Sequence, residues 1–226
     1  FKSEDSGASW SKILSNIFVY DFIINPFSPK IIYVAGVCVS YGCVLKTTNG
    51  GDSWDSEIFH DGSASINAVR AIALNPQNPN QIVIGTTSGN INKSADGGMS
   101  WQLAKNFNDQ INRMLWQNGN VYVLTKSKGL YTSSDFGANF NDNTLTFNKG
   151  NLISNVINAP NANTAGSFSQ LYVDFTTPSL IYMTTDKGIY KTVDTGKTWV
   201  LLNLPVKPEQ TSARAVTIAQ NSSNIV

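Results

Sequence analysis

Apolar and polar residues alternate along this chain in short runs, and the runs return in the same order. Val19–Pro26, Val69–Pro76, Ile111–Trp116, Leu171–Pro178 and Ala213–Ala219 each read as a first strand, rich in β-branched and aromatic residues. A polar stop such as Asn-Pro closes several of them. A second strand follows the turn at Ile31–Ala35, Gln81–Gly85, Val121–Thr125 and Leu180–Thr184. A third follows at Cys43–Lys46, Asn90–Lys93, Gly129–Tyr131 and Gly188–Lys191, and a fourth is expected to begin at an aromatic residue shortly after.

Between third and fourth strands one eight-residue phrase appears five times, as Ser/Thr-x-Asp-x-Gly-x-Ser/Thr-Trp/Phe. Its copies centre on Asp5, Gly7 and Trp10; on Asn49, Gly51 and Trp54; on Asp96, Gly98 and Trp101; on Asp135, Gly137 and Phe140; and on Asp194, Gly196 and Trp199. The closing aromatics lie 44, 47, 39 and 59 residues apart, a spacing that signals a repeat architecture. In each copy the acid can accept hydrogen bonds from nearby amides and so organise a tight hairpin. Glycine supplies a positive φ, and the aromatic is expected to turn inward and bury its ring. Asn49 keeps an acceptor without the charge, whereas Asn139 and Phe140 predict a weaker fourth hairpin. Four antiparallel strands per period make one blade of an all-β propeller.

The phrase is identified as an Asp-box, the bacterial neuraminidase repeat, and the resemblance covers nearly the whole chain. It implies a propeller with the boxes at the blade periphery, and it is shared by sialidases, xyloglucanases, sortilin-like receptors and photosystem II assembly factors. The blade layout reads as a partial blade at 1–14, blades at 15–58, 64–105 and 109–147, an insertion at 148–168, a blade at 169–204 and a partial blade at 211–226. Two arrangements fit: a five-bladed ring closed by its two partial blades, or part of a larger propeller. In the second, further propeller sequence or a partner chain covers the strand edges.

Composition narrows the function classes. Charged residues make up 14% of the 226 and the net charge is +1, which points away from nucleic acid and anionic membrane surfaces. No apolar stretch is long enough for a membrane span. Cys38 and Cys43 flank a strand 2–3 connection, where facing residues reach disulfide geometry; a bridge there implies an extracytoplasmic location. With two Cys and one His, His60, the chain lacks the ligands for a structural zinc site, and no metal or cofactor is expected. Asn92-Lys-Ser94 and Asn221-Ser-Ser223 match glycosylation acceptors.

Candidate chemistry is sparse. The three arginines, Arg70, Arg113 and Arg214, all open first strands, and three guanidiniums converging on a channel could hold a carboxylate. That would resemble the arginine triad of sialidases, with Tyr20, Tyr172, Asp21 and Asp174 as candidate partners. Thr185-Asp186-Lys-Gly188 resembles a stretch of xyloglucanase-like enzymes and nominates Asp186 as an acid. Trp116 and Tyr41 could stack on sugars, although core packing is the commoner use of such a tryptophan. The strand wording is most similar to the noncatalytic branch, photosystem II assembly factor-like and sortilin-like propellers, which implies a scaffold for protein or glycan ligands. The Asn-rich stretch from Asn141 to Ser169 is the longest departure from the repeat, and such loops commonly carry recognition.

Overall fold

The structure, a computed structural model, describes residues 1–55, 57–62, 67–142, 156–157, 167–174 and 176–202. Four antiparallel sheets follow one another along the chain. The first holds β1 (Ile17–Ile24), β2 (Ile32–Cys38), β3 (Tyr41–Thr47) and β4 (Phe59–His60). The second holds β5 (Val69–Leu74), β6 (Ile82–Thr86), β7 (Asn90–Ser94) and β8 (Gln102–Asn106). The third is β9 (Ile111–Gln117), β10 (Asn120–Thr125), β11 (Leu130–Ser133) and β12 (Asn141–Asp142). The fourth runs β14 (Phe168–Val173), β15 (Ile181–Thr185), β16 (Gly188–Thr192) and β17 (Trp199–Leu201), with β13 (Val156–Ile157) added beside β17. Each sheet is thus a meander of sequential strands, and β1, β5, β9 and β14 pack side by side as the inner strands. This is an all-β propeller architecture of four-stranded blades. Among the described residues no helix is long and apolar enough to cross a membrane.

The core lies between sheets, as stacking of two-sided blades requires. Tyr33, Ala35 and Val44 of the first sheet meet Ile72, Leu74, Ile82 and Ile84 of the second. Ala73 and Val83 of the second meet Met114, Val121 and Val123 of the third. Tyr122, Leu124 and Leu130 then meet Leu171, Val173, Ile181 and Met183. Second strands are buried on both faces, which explains why their sequences run nearly continuously apolar.

The hairpins of the eight-residue phrase share one hydrogen-bond scheme. In the third copy Ser94 Oγ donates to Asp96 and accepts from the Gly98 amide, while Ser100 donates its amide and hydroxyl to the two carboxylate oxygens. Asn139 reproduces this in the fourth copy, donating its amide and Nδ2 to Asp135 at 2.9 and 2.8 Å, whereas Phe140 has no counterpart of the indole bond that Trp10, Trp101 and Trp199 make to the hairpin glycine carbonyl. Asn49 accepts from the Ser53 amide and, having no charge, donates Nδ2 to the Ser53 hydroxyl instead. Two expectations are corrected. Only β17 starts at its aromatic; β8 and β12 start one residue later and β4 five later. The aromatics are also not uniformly buried: Trp199 is inaccessible, but Trp10 is 62% exposed because no preceding sheet packs on it among the described residues.

The clasps also work between blades, which the repeat alone does not reveal. Trp54 Nε1 donates to the Ile13 carbonyl and Trp101 Nε1 to the Ile58 carbonyl, each in the preceding blade. Lys46 donates to the Gly97 carbonyl of the next hairpin and lies over the Tyr33 ring. Lys93 lies over Phe136, the residue equivalent to Gly97. The readable signal is a lysine just before the phrase, present as Lys2, Lys46, Lys93 and Lys191 in four of five copies.

Candidate functional site at the inner strands

All four inner strands carry a bulge at one equivalent position. The register slips at Tyr20 in β1, at Arg70 in β5, at Asn112 in β9 and at Ser169 in β14. A bulge releases one residue from the ladder and re-aims its side chain. Tyr20, Arg70, Asn112 and Ser169 stand at these positions, followed by Asp21, Ala71, Arg113 and Gln170.

Two of the three arginines are brought to β1, and each is used there. Arg113 Nη1 donates to Asp21 Oδ1 at 2.8 Å. The same carboxylate accepts the Phe22 amide at 3.0 Å and, through Oδ2, the Ile72 amide of the second sheet at 3.1 Å. Asp21 is 8% exposed and so joins inner strands of three consecutive blades. Burial pushes its carboxyl above the ordinary carboxylate range, opposed by the Arg113 charge and by the two amides. Arg70 stacks its guanidinium on the Tyr20 ring, 4.3 Å from the centroid. Nε of Arg113 is buried without a hydrogen-bond partner among the described residues. Arg214 lies outside the described residues.

The other candidates are dispersed. Asp174 closes a turn after β14, accepting the Thr176 amide and hydroxyl and the Thr177 amide, and these bonds lower its pKa. It is the counterpart of Asn25, which organises the matching turn of the first sheet. Tyr172 packs against Leu180, Tyr182 and Ile189 on another surface. Asp186 is exposed in the turn from β15 to β16. Trp116 packs against Phe136, ring centroids 5.3 Å apart, and belongs to the core rather than to a sugar platform. Asn92 and Ser94 sit within β7, and Ser94 is 1% exposed with its hydroxyl bound to Asp96, so this sequon is not presented as an acceptor. The second sequon and most of the stretch from Asn141 to Ser169 lie outside the described residues; its segment Val156–Ile157 pairs with β17.

At the rim, Cys38 and Cys43 form a disulfide across the β2–β3 turn. Beside it Tyr41 donates to Glu57 at 2.8 Å and stacks on His60, ring centroids 4.0 Å apart. His60 Nδ1 lies 3.5 Å from the other Glu57 oxygen. Its partners become neighbours only through the β3–β4 pairing of Cys43 with His60.

Sheet topology and inner-strand geometry define the class, a β-propeller, and solved structures agree. The chain superposes on an ancestral GH74 enzyme with a TM-score of 0.62 and 20% identity, over 85% of this chain and 26% of that one. It matches YCF48 from Cyanidioschyzon merolae at TM-score 0.62 and 16% identity, over 88% and 61% of the two chains. It matches a chain of the nidogen/laminin complex at 0.63 and 14%, over 90% and 70%. YCF48 is also known bound to a D1 peptide, an arrangement this chain matches at TM-score 0.51 and 14% identity, over 82% of its length and 54% of that chain. By sequence, the chain matches no family profile and no curated protein. The chain spans about a quarter of the GH74 enzyme, and at these identities the likeness is one of fold.

Proposed function

We propose that this chain is a noncatalytic binding or assembly scaffold of the Asp-box propeller type, acting outside the cytoplasm and presenting protein or glycan ligands on the ring face. The observation that carries the reading is the internal use of the inner-strand charges. Both Asp21 oxygens are engaged by Arg113, Ile72 and Phe22, and Arg70 rests on Tyr20. A catalytic pair needs one carboxylate free to reach a substrate proton and another across a cleft. The Cys38–Cys43 bridge supports an oxidising compartment. YCF48 with its D1 peptide and nidogen with laminin are similar folds engaged with polypeptide partners.

One observation favours a second reading, a glycoside hydrolase of xyloglucanase-like or sialidase-like type. The fold is shared with an ancestral GH74 enzyme. Assays on xyloglucan, other β-glucans and sialosides separate the two. The scaffold reading expects no turnover and saturable binding on a peptide or glycan array. Turnover abolished by Asp21→Asn or Asp186→Asn in a protein that remains folded would overturn it.

A further inference from the structure

The turn between first and second strands is built in two ways. In the first, second and fourth sheets it opens on Asn25, Asn75 and Asp174, whose side-chain oxygens accept amides two or three residues on. Asn25 and Asn75 are each followed by proline. The third sheet has a two-residue turn instead, Asn118-Gly119, between the paired residues Gln117 and Asn120. Both turn residues take positive φ, 52° and 76°, as a tight hairpin requires. Asn118 and Gly119 are exposed, and a Cβ on Gly119 would meet nothing within 4 Å. The Asn118 carbonyl accepts from Asn120 Nδ2 at 3.1 Å, whereas neither the Asn118 side chain nor the Gly119 amide has a hydrogen-bond partner among the described residues.

Asparagine before glycine carries chemistry of its own. The backbone nitrogen of the following residue can attack the side-chain Cγ, and glycine offers no Cβ to hinder the approach. Proline in that place has no N–H to give up, which removes this route for Asn25 and Asn75. The chain's other Asn-Gly pair, Asn49-Gly50, is tied at both reacting groups. Asn49 Oδ1 accepts the Thr47 hydroxyl at 2.8 Å and the Ser53 amide at 3.0 Å, and Nδ2 donates to the Ser53 hydroxyl at 2.7 Å. The Gly50 amide donates to the Lys30 carbonyl at 2.8 Å. Bringing Cγ onto the Gly50 nitrogen breaks these bonds, and nothing comparable opposes the same movement at Asn118.

We propose that Asn118 is a site of spontaneous covalent modification in the folded chain, converting to aspartate and isoaspartate, while Asn49 is protected by its hairpin. The Gly119 nitrogen attacks Asn118 Cγ, the new C–N bond forms as the bond from Cγ to Nδ2 breaks, and ammonia leaves with the proton of the Gly119 amide. Water then opens the succinimide. Attack at Cγ restores the backbone with aspartate at position 118, and attack at the backbone carbonyl carbon gives isoaspartate. Either product places a negative charge at the tip of an inner-strand hairpin that carried none. Isoaspartate also lengthens the backbone of a turn whose two-residue length sets the strand register.

The test incubates the full chain at neutral pH and follows both sites by mass in a tryptic digest, with enzymatic methylation of isoaspartate to count that isomer. Cleavage after Lys46, Arg70, Arg113 and Lys126 places Asn49 in the peptide 47–70 and Asn118 in the peptide 114–126. Asn118 is expected to convert at least about tenfold faster than Asn49, because Asn49 reacts only after local opening breaks its hydrogen bonds. In a denaturing concentration of urea the two rates should come together, since neither hairpin then holds its asparagine. Comparable rates in the folded chain overturn the proposal. A gap of the same size in urea overturns it as well, because the cause would then lie in neighbouring sequence and not in the two turns.

Discussion

At the residue scale, the repeated hairpin asks for more than its glycine. Two consecutive residues take positive φ in every copy, the second always glycine and the first Ser6, Gly50, Gly97, Phe136 or Thr195. A β-branched residue tolerates that region poorly. Thr195→Gly, which copies what stands at positions 50 and 97, should therefore raise stability by about 1 kcal/mol, measured by urea denaturation. The acids make a second demand. Asp5 is held at about 2 by the Ser9 hydroxyl and amide and by Ser3, and Asp135 at about 2 by the Asn139 amide and side chain and by Ser133. Asp96 is lowered in the same way, chiefly by the Ser100 hydroxyl, and Asp194 is lowered although burial opposes its hydrogen bonds. Folded values below the unfolded value mean stability present above about pH 4 and lost as pH falls toward 2. The raised Asp21 works in the opposite sense, its contribution being present at low pH and lost as pH rises. A Tm profile from pH 6 to pH 2 should fall on the acid side, and Asp96→Asn, with the side chain that works at position 49, should make that fall shallower. The roles of acid and glycine were legible because each turn needs them. The residue before the glycine was not, since its identity varies while its backbone does not.

At the element scale, an inner strand is held by its bulge as much as by its ladder. The slip at Tyr20 frees Asp21 to take the Ile72 amide from β5 and the Arg113 guanidinium from β9. Asp21→Ala removes three hydrogen-bond acceptor contacts and leaves Arg113 facing a partly buried space. The expected cost is about 2–4 kcal/mol in denaturant unfolding. Asp21→Asn keeps one oxygen, enough for only one of the two amides, and leaves the Arg113 charge unpaired, so it should recover only part of that cost. The double change Asp21→Leu with Arg113→Met should recover most of the loss, since an apolar pair of similar volume avoids desolvation. Strand order and the inner placement of these arginines could be read from alternation and repeat spacing. The ion pair could not, because it joins residues 92 apart through bulges that a period-two pattern does not reveal. The same limit hid the contact of Tyr41 and Glu57 with His60.

At the scale of the whole molecule, each sheet's core packs against its neighbours, with the Arg113–Asp21 bond reaching one sheet further, so stability is close to a sum of blade and interface contributions. A residue's worth then depends on whether its interface is occupied. Ile72 and Phe22 hold equivalent register positions, yet one is 2% and the other 60% exposed. Phe22 is the larger apolar side chain, but alternation marks which face a side chain takes and not what lies against that face. Ile72→Ala opens a cavity between the first two sheets and should cost about 2–4 kcal/mol. Phe22→Ala in the isolated chain should fall within about 0.5 kcal/mol of the parent, as for an exposed side chain. Urea unfolding of the two variants decides the matter, and equal losses would mean that the first sheet's outer face is covered in solution.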